Sequence, residues 1–474
     1  MRRSVIVAAG IAVLATSCAA IRVDRPVRVA SGLTSHVLCS ETFVSGLDPA
    51  RVYAERIKPL PGIGMVDWAL DYHVDEAHRA VTTTVAGMFE SRALYRDGLG
   101  CLLVGDGEAA DTPSPEEIAA GSATPSLLPE IAGPAVVEPR DARLRSALDL
   151  GFAEPDRPPY HRVKAVVVVH DGRVIAERYA PGYGVDTPLL SWSTAKSVTS
   201  ALIGILVREG RLSLDEPAPL PAWRDPKDPR HAITIDELLR QTSGIDLAET
   251  NSGFDPSTRM QFIEHDMAGF AQTVGLRATP GSQWAYTDGN YILLSRVLRD
   301  AVGGHAVDVL RFARRELFDP LGMRHVTMEL DRTGTPVGAT YMLMPARDWA
   351  RFGLLYLSDG NLAGQRILPE DWVRYSATRT LDTGYGAGFW TNLADGNVPG
   401  WGVPWGMPHA PRDTFFARGF EGQYVVVIPS RNLVITRFGD SAIPGDDIEN
   451  MDRLVAAVVA AIDVAGAAQA QRAN

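Results

Sequence analysis

Apolar runs of strand length occur near residue 165 and again towards the C-terminus of this 474-residue chain. Five consecutive apolar residues at 165–169 are typical of a buried strand, and a predicted turn at 170–173 leads to a second strand at 174–179. Three later apolar runs predict further strands, at 414–418, 423–428 and 433–438. Strands that come first and last in one region predict that its two ends share an antiparallel sheet.

The stretches between these strands favour helices. Residues 198–207 are apolar at near-continuous density, which predicts a helix that is buried on most sides, begins within 191–197 and ends near Gly210. Other helices are predicted at 233–241 with Thr234 as the N-cap, at 292–301 and at 448–462, with helical segments continuing to about residue 358. The region 141–466 is therefore predicted to be one catalytic α/β (α+β) domain, an antiparallel sheet flanked by helices.

Residues 1–20 have the pattern of a secretory signal. Arg2 and Arg3 precede an apolar core at 5–15 that is too short to span a bilayer. Small residues before Cys18 resemble a bacterial lipoprotein cleavage site, after which Cys18 would be lipidated and attach the protein to a membrane. The alternative is ordinary cleavage near Ala20. Either route predicts an exported protein, located in the bacterial periplasm or anchored to a membrane.

Export changes the interpretation of the two other cysteines. In an oxidising compartment, Cys39 and Cys101 are expected to form a disulfide bond, with two free buried thiols as the alternative. Both cysteines lie in an N-terminal segment, 21–104. Within it, the pattern predicts a short helix at 48–56 and strands at 65–70 and 81–84.

Composition and charge restrict the classes of partner. The formal net charge of −11 argues against nucleic acid and against an anionic membrane surface, and 46% hydrophobic residues is ordinary for a globular protein. Residues 105–140 are rich in proline and acidic residues, which predicts a linker or a long surface loop. Residues 467–474 are interpreted as a short tail.

The candidate chemistry lies in the stretch SWSTAKS at 191–197. Ser193 and Lys196 are three residues apart and share one face of a helix. A serine hydroxyl needs a base within hydrogen-bond reach to act as a nucleophile, and a buried lysine can be that base. The alternative interpretation is a serine-capped helix with a solvated lysine. The apolar run that follows makes a solvated lysine at this position unusual.

Further motifs accompany this pair between residues 162 and 462. They are EGRL at 209–212, LLRQTSG at 238–244, PG at 280–281, PLGM at 320–323 and DWARFG at 348–353. With Ser-x-x-Lys, they resemble the penicillin-recognising serine enzymes, in particular the class C β-lactamase-related hydrolases. The Trp192–Ser193 context and the runs at 385–390 and 422–424 are most similar to 6-aminohexanoate-dimer hydrolases and related esterases. The resemblance implies a β-lactamase/D,D-peptidase-like fold, with an all-helical subdomain beside the sheet.

The resemblance also implies roles for individual residues. Ser193 is the nucleophile, Lys196 the general base and Tyr286 the partner that shuttles the proton. The family's second motif, Tyr-x-Asn, reads Tyr-Thr-Asp at 286–288, which places Asp288 at a substrate-binding position. An ionised Asp288 would hold Lys196 in its charged form. Asn290 is interpreted as structural.

The third motif of the family normally begins with lysine or histidine on the strand beside the site. The matching residues here begin with Ala417, so the cation is missing, and strand alternation turns Arg418 to the opposite face from Ala417 and Gly419. The resemblance implies an oxyanion hole made by the backbone N–H groups of Ser193 and Phe420. It places Ala417, Gly419 and, from the run at 385–390, Trp390 among the substrate-binding residues.

These observations predict an exported serine hydrolase that cleaves a small ester or amide through an acyl-enzyme, with no metal or cofactor. There is no Gly-x-Ser-x-Gly motif, which argues against the α/β-hydrolase alternative. One remaining alternative is a β-lactamase or D,D-peptidase on the same site, which the missing third-motif cation disfavours. Others are a non-catalytic protein that binds cell-wall fragments, and a structural lipoprotein with a fortuitous Ser-x-x-Lys. The sequence leaves the natural substrate and the oligomeric state open.

Overall fold

The structure, a computed structural model, describes residues 24–60, 62–105, 113–120, 124–393, 406–441 and 446–473. The predicted signal segment with Cys18 and the side chains of the predicted tail lie outside the described residues. Within the described ranges, no helix is both long and apolar enough to cross a membrane.

The N-terminal segment folds as a helix on a small sheet. Helix α1 (Asp24–Phe43) packs against an antiparallel sheet whose four strands follow one another in chain order. These strands are β1 (Leu70–Asp75), β2 (Ala80–Val85), β3 (Met88–Arg96) and β4 (Gly100–Val104). A disulfide bond joins Cys39 on α1 to Cys101 on β4, as predicted.

The predictions within this segment had mixed outcomes. The short helix at 48–56 is confirmed as α2 (Pro49–Val52) followed by a π-helical turn, Tyr53–Ile57. The strand predicted at 81–84 is confirmed by β2. The strand predicted at 65–70 is wrong, because Ile63–Val66 forms a helical turn and Asp67–Ala69 a 3₁₀ turn. The apolar residues of 65–70 do not alternate between two faces as those of a strand do, and the side chains of Met65 and Trp68 are 80% and 85% exposed.

Removal of the disulfide by the double substitution Cys39→Ala/Cys101→Ala is expected to destabilise this segment. The bond closes a loop with a sequence separation of 62 residues, for which the chain-entropy estimate is about 4 kcal/mol. Urea unfolding of the variant should therefore show an earlier transition for the N-terminal segment. Wild type unfolded in reductant is the matched control and should behave like the variant. Unchanged unfolding of both would contradict a stabilising role for the bond.

The main sheet joins the two ends of the C-terminal region, as predicted. Its strands are β5 (Ala165–His170), β6 (Arg173–Tyr179), β12 (Trp390–Thr391), β13 (Phe415–Gly419), β14 (Gln423–Ile428) and β15 (Leu433–Phe438). Their order is β12-β13-β14-β15-β5-β6, and Ala165 on β5 lies opposite Phe438 on β15. Five shorter strands complete the set: β7 (Leu189–Leu190), β8 (Thr327–Met328), β9 (Met342–Met344), β10 (Asn361–Leu362) and β11 (Gln365–Arg366).

Helices cover both faces of this sheet. The remaining helices are α3 (Ile63–Val66), α4 (Pro115–Ala119), α5 (Ala142–Gly151), α6 (Ala195–Arg208), α7 (Ile235–Leu239), α8 (Pro256–Phe262), α9 (Met267–Thr273), α10 (Asp288–Val302), α11 (Ala306–Ala313), α12 (Ala346–Leu357), α13 (Trp372–Ser376) and α14 (Asp446–Ala473). Val166 and Val168 belong to the core formed with α5 and α14, whereas Val167 and Val169 belong to the core formed with α6 and α12. The predicted fold, an antiparallel sheet flanked by helices, is confirmed.

The region predicted as a linker or long loop lies partly along the sheet. Backbone hydrogen bonds join Val174 to Ile131 and Glu177 to Val137, so its last part runs beside the edge strand β6. The buried Glu177 also pairs with Arg347, whose guanidinium donates to the carbonyl groups of Gly133 and Ala135. These contacts fasten residues 131–137 to the domain.

Candidate active site

Ser193 lies in a 3₁₀ turn, Trp192–Thr194, that leads directly into helix α6. The preceding Ser191 fixes this turn to the rest of the domain, since its N–H donates to the carbonyl of Met342 and its hydroxyl donates to that of Thr340. The Ser193 side chain is partly exposed, whereas the rest of the turn is buried. Ser193 is therefore the most exposed residue of an otherwise buried turn.

Lys196, on the first turn of α6, is only 1% exposed. Its amine donates to Ser193 Oγ at 2.8 Å and to the carbonyl of Ala339 at 3.1 Å. It also forms an ion pair with Asp288. The alternative of a solvated lysine is thus wrong, and the amine lies within proton-transfer distance of the Ser193 hydroxyl.

Tyr286 completes the group around Ser193. The Lys196 amine lies 4.8 Å from the centre of its ring. Burial, followed by the negative charges of Glu249 and Asp288, raises the pKa of Tyr286 well above its usual value; the nearby Ser193 side chain offsets this only in part. Tyr286 is therefore a neutral phenol at neutral pH and can donate a proton.

An aromatic cluster surrounds Tyr286. Its ring stacks on Trp390 at 5.9 Å and meets the edge of Tyr385 at 5.8 Å, and Trp284 contacts all three. Trp390, predicted to bind substrate, is buried in this cluster on β12. The sequence alone allowed a catalytic or a core role for Tyr286, and the geometry supports both.

Asp288 begins helix α10 and is buried. One carboxylate oxygen faces Lys196 and the other accepts from Gln261 Nε2 at 2.6 Å. Both oxygens are thus engaged by protein groups, and the carboxylate is directed at the base rather than at open solvent. Asn290 bonds to Gln241 and Ser243, in keeping with the structural interpretation.

Glu249 is a member of this site that sequence reasoning missed. Its carboxylate accepts the backbone N–H of Asp288 at 2.7 Å. Burial first, then the charge of Asp288, raises the pKa of Glu249 to about 8, against a smaller lowering by Lys196. Nothing in the local sequence marks it, since the contact joins residues 39 positions apart.

The substitution Glu249→Gln is expected to change how stability depends on pH. The raised pKa means that Glu249 keeps its proton in the folded protein at pH values where the unfolded chain has already released it. The free energy of unfolding of the wild type therefore falls as the pH rises from about 4.5 to about 8. Glutamine does not titrate, so the unfolding free energy of wild type minus that of the variant should fall between pH 5 and pH 9. Urea titrations at these two values measure it, with the exposed Glu370→Gln as control. A constant difference would show that Glu249 is ionised throughout.

The strand beside the site is β13. Ala417 and Gly419 are both buried, and Arg418 points to the opposite face, where it pairs with Asp447 at 3.1 Å. This agrees with the predicted alternation. Phe420 follows the strand, and its ring meets the edge of Trp192 at 5.8 Å. The residues predicted to supply the oxyanion hole are therefore brought together by neighbouring turns.

No group of three or more histidine, cysteine, aspartate or glutamate side chains suited to a metal ion occurs in the described part of the chain. The site instead consists of a hydroxyl, an amine, a phenol and two carboxyl groups. This arrangement can activate a serine and return a proton to a leaving group.

Known proteins resemble this chain in sequence. A family model described as beta-lactamase matches residues 161–460. The 6-aminohexanoate-dimer hydrolase of Paenarthrobacter ureafaciens is 25% identical over 268 residues, which cover 50% of this chain and 67% of that protein.

Solved structures share the fold. A protein from Bacillus anthracis, assigned as a 6-aminohexanoate-dimer hydrolase, superposes with a TM-score of 0.54 at 21% identity over 72% of this chain and 88% of its own. A penicillin-binding protein homologue from Caulobacter crescentus gives 0.51 at 18% identity over 70% of this chain and 100% of its own.

Proposed function

This chain belongs to the beta-lactamase family of serine hydrolases, and we propose that it cleaves an ester or a linear amide bond through an acyl-enzyme on Ser193. The supporting observation is that a buried amine and a phenol lie beside one hydroxyl. Ser193 Oγ lies 2.8 Å from the Lys196 amine, which in turn lies 4.8 Å from the centre of the Tyr286 ring. A base and an acid are thus grouped around the nucleophile.

Acylation requires Lys196 as a neutral amine. When the proton of the ion pair moves to Asp288, the free amine accepts the proton of Ser193 as Oγ attacks the carbonyl carbon. The backbone N–H groups of Ser193 and Phe420 stabilise the resulting oxyanion. The C–O or C–N bond then breaks while Tyr286 donates its proton to the leaving group and takes one from Lys196.

Deacylation reverses these steps with water. Water gives a proton to the Lys196–Tyr286 pair and attacks the acyl carbon. The bond to Ser193 Oγ breaks, and Ser193 regains its proton. The acid product leaves, and the ion pair between Lys196 and Asp288 forms again.

The substrate class follows from the charge beside the site. A substrate carboxylate would need a cation on β13, but the third-motif position is Ala417 and the nearby Arg418 is directed towards Asp447. We therefore favour neutral esters and linear amides over β-lactams and peptidoglycan termini. The names of the two 6-aminohexanoate-dimer hydrolases that the chain resembles support a linear amide within this class.

Export is part of the same proposal. The disulfide between Cys39 and Cys101 supports an oxidising compartment, and the signal pattern with Cys18 would direct the protein there. Fractionation of cells fed a labelled fatty acid tests this. Label in the wild type that is absent from Cys18→Ala is the expected result for a lipoprotein, and label-free protein in the periplasm is expected after ordinary cleavage.

The deciding experiment compares initial rates on three substrates: a short-chain aryl ester, a linear ω-amino-acid amide dimer and a chromogenic cephalosporin. Purified wild type is run beside Ser193→Ala. Turnover of the ester or the linear amide, absent in the variant, supports the proposal. Turnover of the cephalosporin alone would identify a β-lactamase. No turnover and no covalent labelling of Ser193 would favour a binding protein.

The substitution Asp288→Asn tests the role given to the ion pair. Asparagine keeps the shape but removes the negative charge beside Lys196, which favours the neutral amine. The acidic limb of the pH profile of kcat/KM should therefore move to lower pH. Asp331→Asn is a matched control, because Asp331 is also buried but bonds to Thr333 and Thr335 instead. An acidic limb that stays in place in Asp288→Asn would exclude Asp288 as the proton acceptor of Lys196.

A further inference from the structure

Two turns that carry the predicted oxyanion amides lie in direct contact. The end of β13 approaches the Ser193 turn so closely that a Cβ on Gly419 would lie 2.2 Å from the carbonyl oxygen of Ser191. On the other side of this contact, the Thr194 hydroxyl donates to the carbonyl of Gln423 at 3.4 Å. The separation of the Ser193 and Phe420 amides therefore depends on how these turns are held together.

One carboxylate bridges the two turns. Glu421 follows Phe420 and is only 5% exposed. Its Oε2 atom accepts from the indole Nε1 of Trp192, the residue before Ser193, at 2.8 Å. Glu421 thus connects the neighbour of one oxyanion amide with the neighbour of the other.

The backbone at both ends of this bridge is in an uncommon conformation. Trp192 has φ = 45° and Glu421 has φ = 62°, in the left-handed region that residues other than glycine rarely adopt. Such conformations persist only where the surroundings hold them. The hydrogen bond between the two side chains is one of those restraints.

The second partner of the carboxylate comes from outside the family-matched region, 161–460. Arg56 of the N-terminal segment donates from Nε to Glu421 Oε2 at 2.8 Å, and its guanidinium lies 5.4 Å from the centre of the Trp192 ring. Arg56 is itself buried and paired with Glu41 on α1. The N-terminal segment therefore reaches the outer side of the predicted oxyanion hole.

We propose that Glu421, held by Arg56, is a positioning residue that fixes the separation of the Ser193 and Phe420 amides. Rate depends on this separation because donors stabilise the oxyanion only at hydrogen-bond distance from it. This inference rests on the proposed acyl-enzyme mechanism. It also gives the N-terminal segment a function in catalysis, as the part of the chain that supplies the cation for this carboxylate.

The test uses two conservative variants. Glu421→Gln keeps the size of the side chain but removes the charge that binds Arg56, and Trp192→Phe keeps a ring but removes the donor. Each should lower kcat for an aryl ester by about 10- to 100-fold, the cost of a small displacement in an active site, with little change in KM. Because both weaken the same bridge between the two turns, the double variant should be less impaired than the product of the two single losses.

A boronic acid inhibitor provides a readout that a purely structural role would not change. An arylboronic acid bonds through boron to Ser193 Oγ and places an oxygen where the oxyanion forms, so it reports binding of a transition-state-like adduct. Its inhibition constant should rise by the same factor as kcat/KM falls in each variant. Glu177→Gln is the matched control, since Glu177 is also buried and paired with an arginine, on the remote edge strand β6. It should change stability but not inhibitor affinity.

The outcomes separate the two proposals. Loss of activity in Ser193→Ala, with weaker boronic acid binding in Glu421→Gln and Trp192→Phe, supports both. Loss of activity in Ser193→Ala, with wild-type kcat and inhibitor affinity in both folded variants, overturns the positioning role alone. Full activity in Ser193→Ala overturns the mechanism and this inference with it.

Discussion

Replacing Ser193 by alanine is expected to lower kcat/KM for the best ester of the panel by about 10⁴- to 10⁶-fold, the range found when a catalytic nucleophile is removed. The Ser193 hydroxyl lies 2.8 Å from the Lys196 amine, on a partly exposed residue. Without it, no acyl-enzyme forms, and only the binding contribution of the site remains. Active-site titration with a chromogenic ester measures the loss as a missing burst.

Lys196→Met should cause a loss of similar size, and the effects of the two substitutions should not add. Methionine fills the buried space of the lysine chain but cannot accept the proton of Ser193. Residues that act as one unit give losses that do not sum, so the Ser193→Ala/Lys196→Met variant should be about as slow as either single variant.

The control for these measurements is Arg347→Met, because Arg347 is also a largely buried cation but pairs with Glu177 on the edge strand β6. Any activity it loses should follow its loss of stability. Losses that add in the Ser193/Lys196 double variant would show that the two residues act in separate steps. Slow but substantial turnover by Ser193→Ala would point to a different nucleophile.

Local spacing made the centre of the site predictable. Ser193 and Lys196 lie on one face because three residues nearly complete a helical turn, and the apolar run after them implied burial. The sheet was predictable for the same kind of reason, since the consecutive apolar residues at 165–169 and the mostly apolar residues at 433–438 form interior strands. The role of Tyr286 could be predicted only from the family resemblance, because no helical or strand repeat relates its position to that of Ser193.

Contacts between distant residues could not be predicted in this way. Arg56 and Glu421 are 365 positions apart, and Glu249 meets Asp288 across a stretch that contains helices α8 and α9. Neither pair leaves a periodic pattern, and each residue alone resembles an ordinary surface charge. The pairing of Arg56 with Glu421 follows from how the N-terminal segment packs on the domain.

The N-terminal segment shows how weak patterns mislead. Helix α1 (Asp24–Phe43) was missed because polar residues such as Ser35, His36 and Ser40 interrupt its apolar face. These residues are nevertheless buried, since His36 and Ser40 both bond to the buried Glu329. Tertiary hydrogen bonds here replace the apolar contacts that a sequence pattern would reveal.

Replacing Arg56 by methionine is expected to cost about 3–5 kcal/mol of stability at pH 8, as for other buried pairs that lose one partner. Arg56 contacts three buried carboxylates, Glu41, Glu421 and Asp440, two of which also pair with Lys164. Without Arg56, most of that negative charge is left uncompensated. Urea unfolding followed by tryptophan fluorescence measures the loss. The exposed Arg143→Met is the control, with an expected change within about 0.5 kcal/mol.

The cost of Arg56→Met should shrink at low pH. Burial raises the pKa of Glu421 to about 7, and the positive charge of Arg56 opposes this rise. Loss of Arg56 therefore makes the Glu421 carboxylate easier to protonate. At pH 5 Glu421 is protonated and one uncompensated charge disappears, so the variant should lie closer to wild type than at pH 8. The double variant Arg56→Met/Glu421→Gln should likewise lose less than the sum of its parts. An equal loss at both pH values would show that Arg56 stabilises the interface through packing of its side chain and not through its charge.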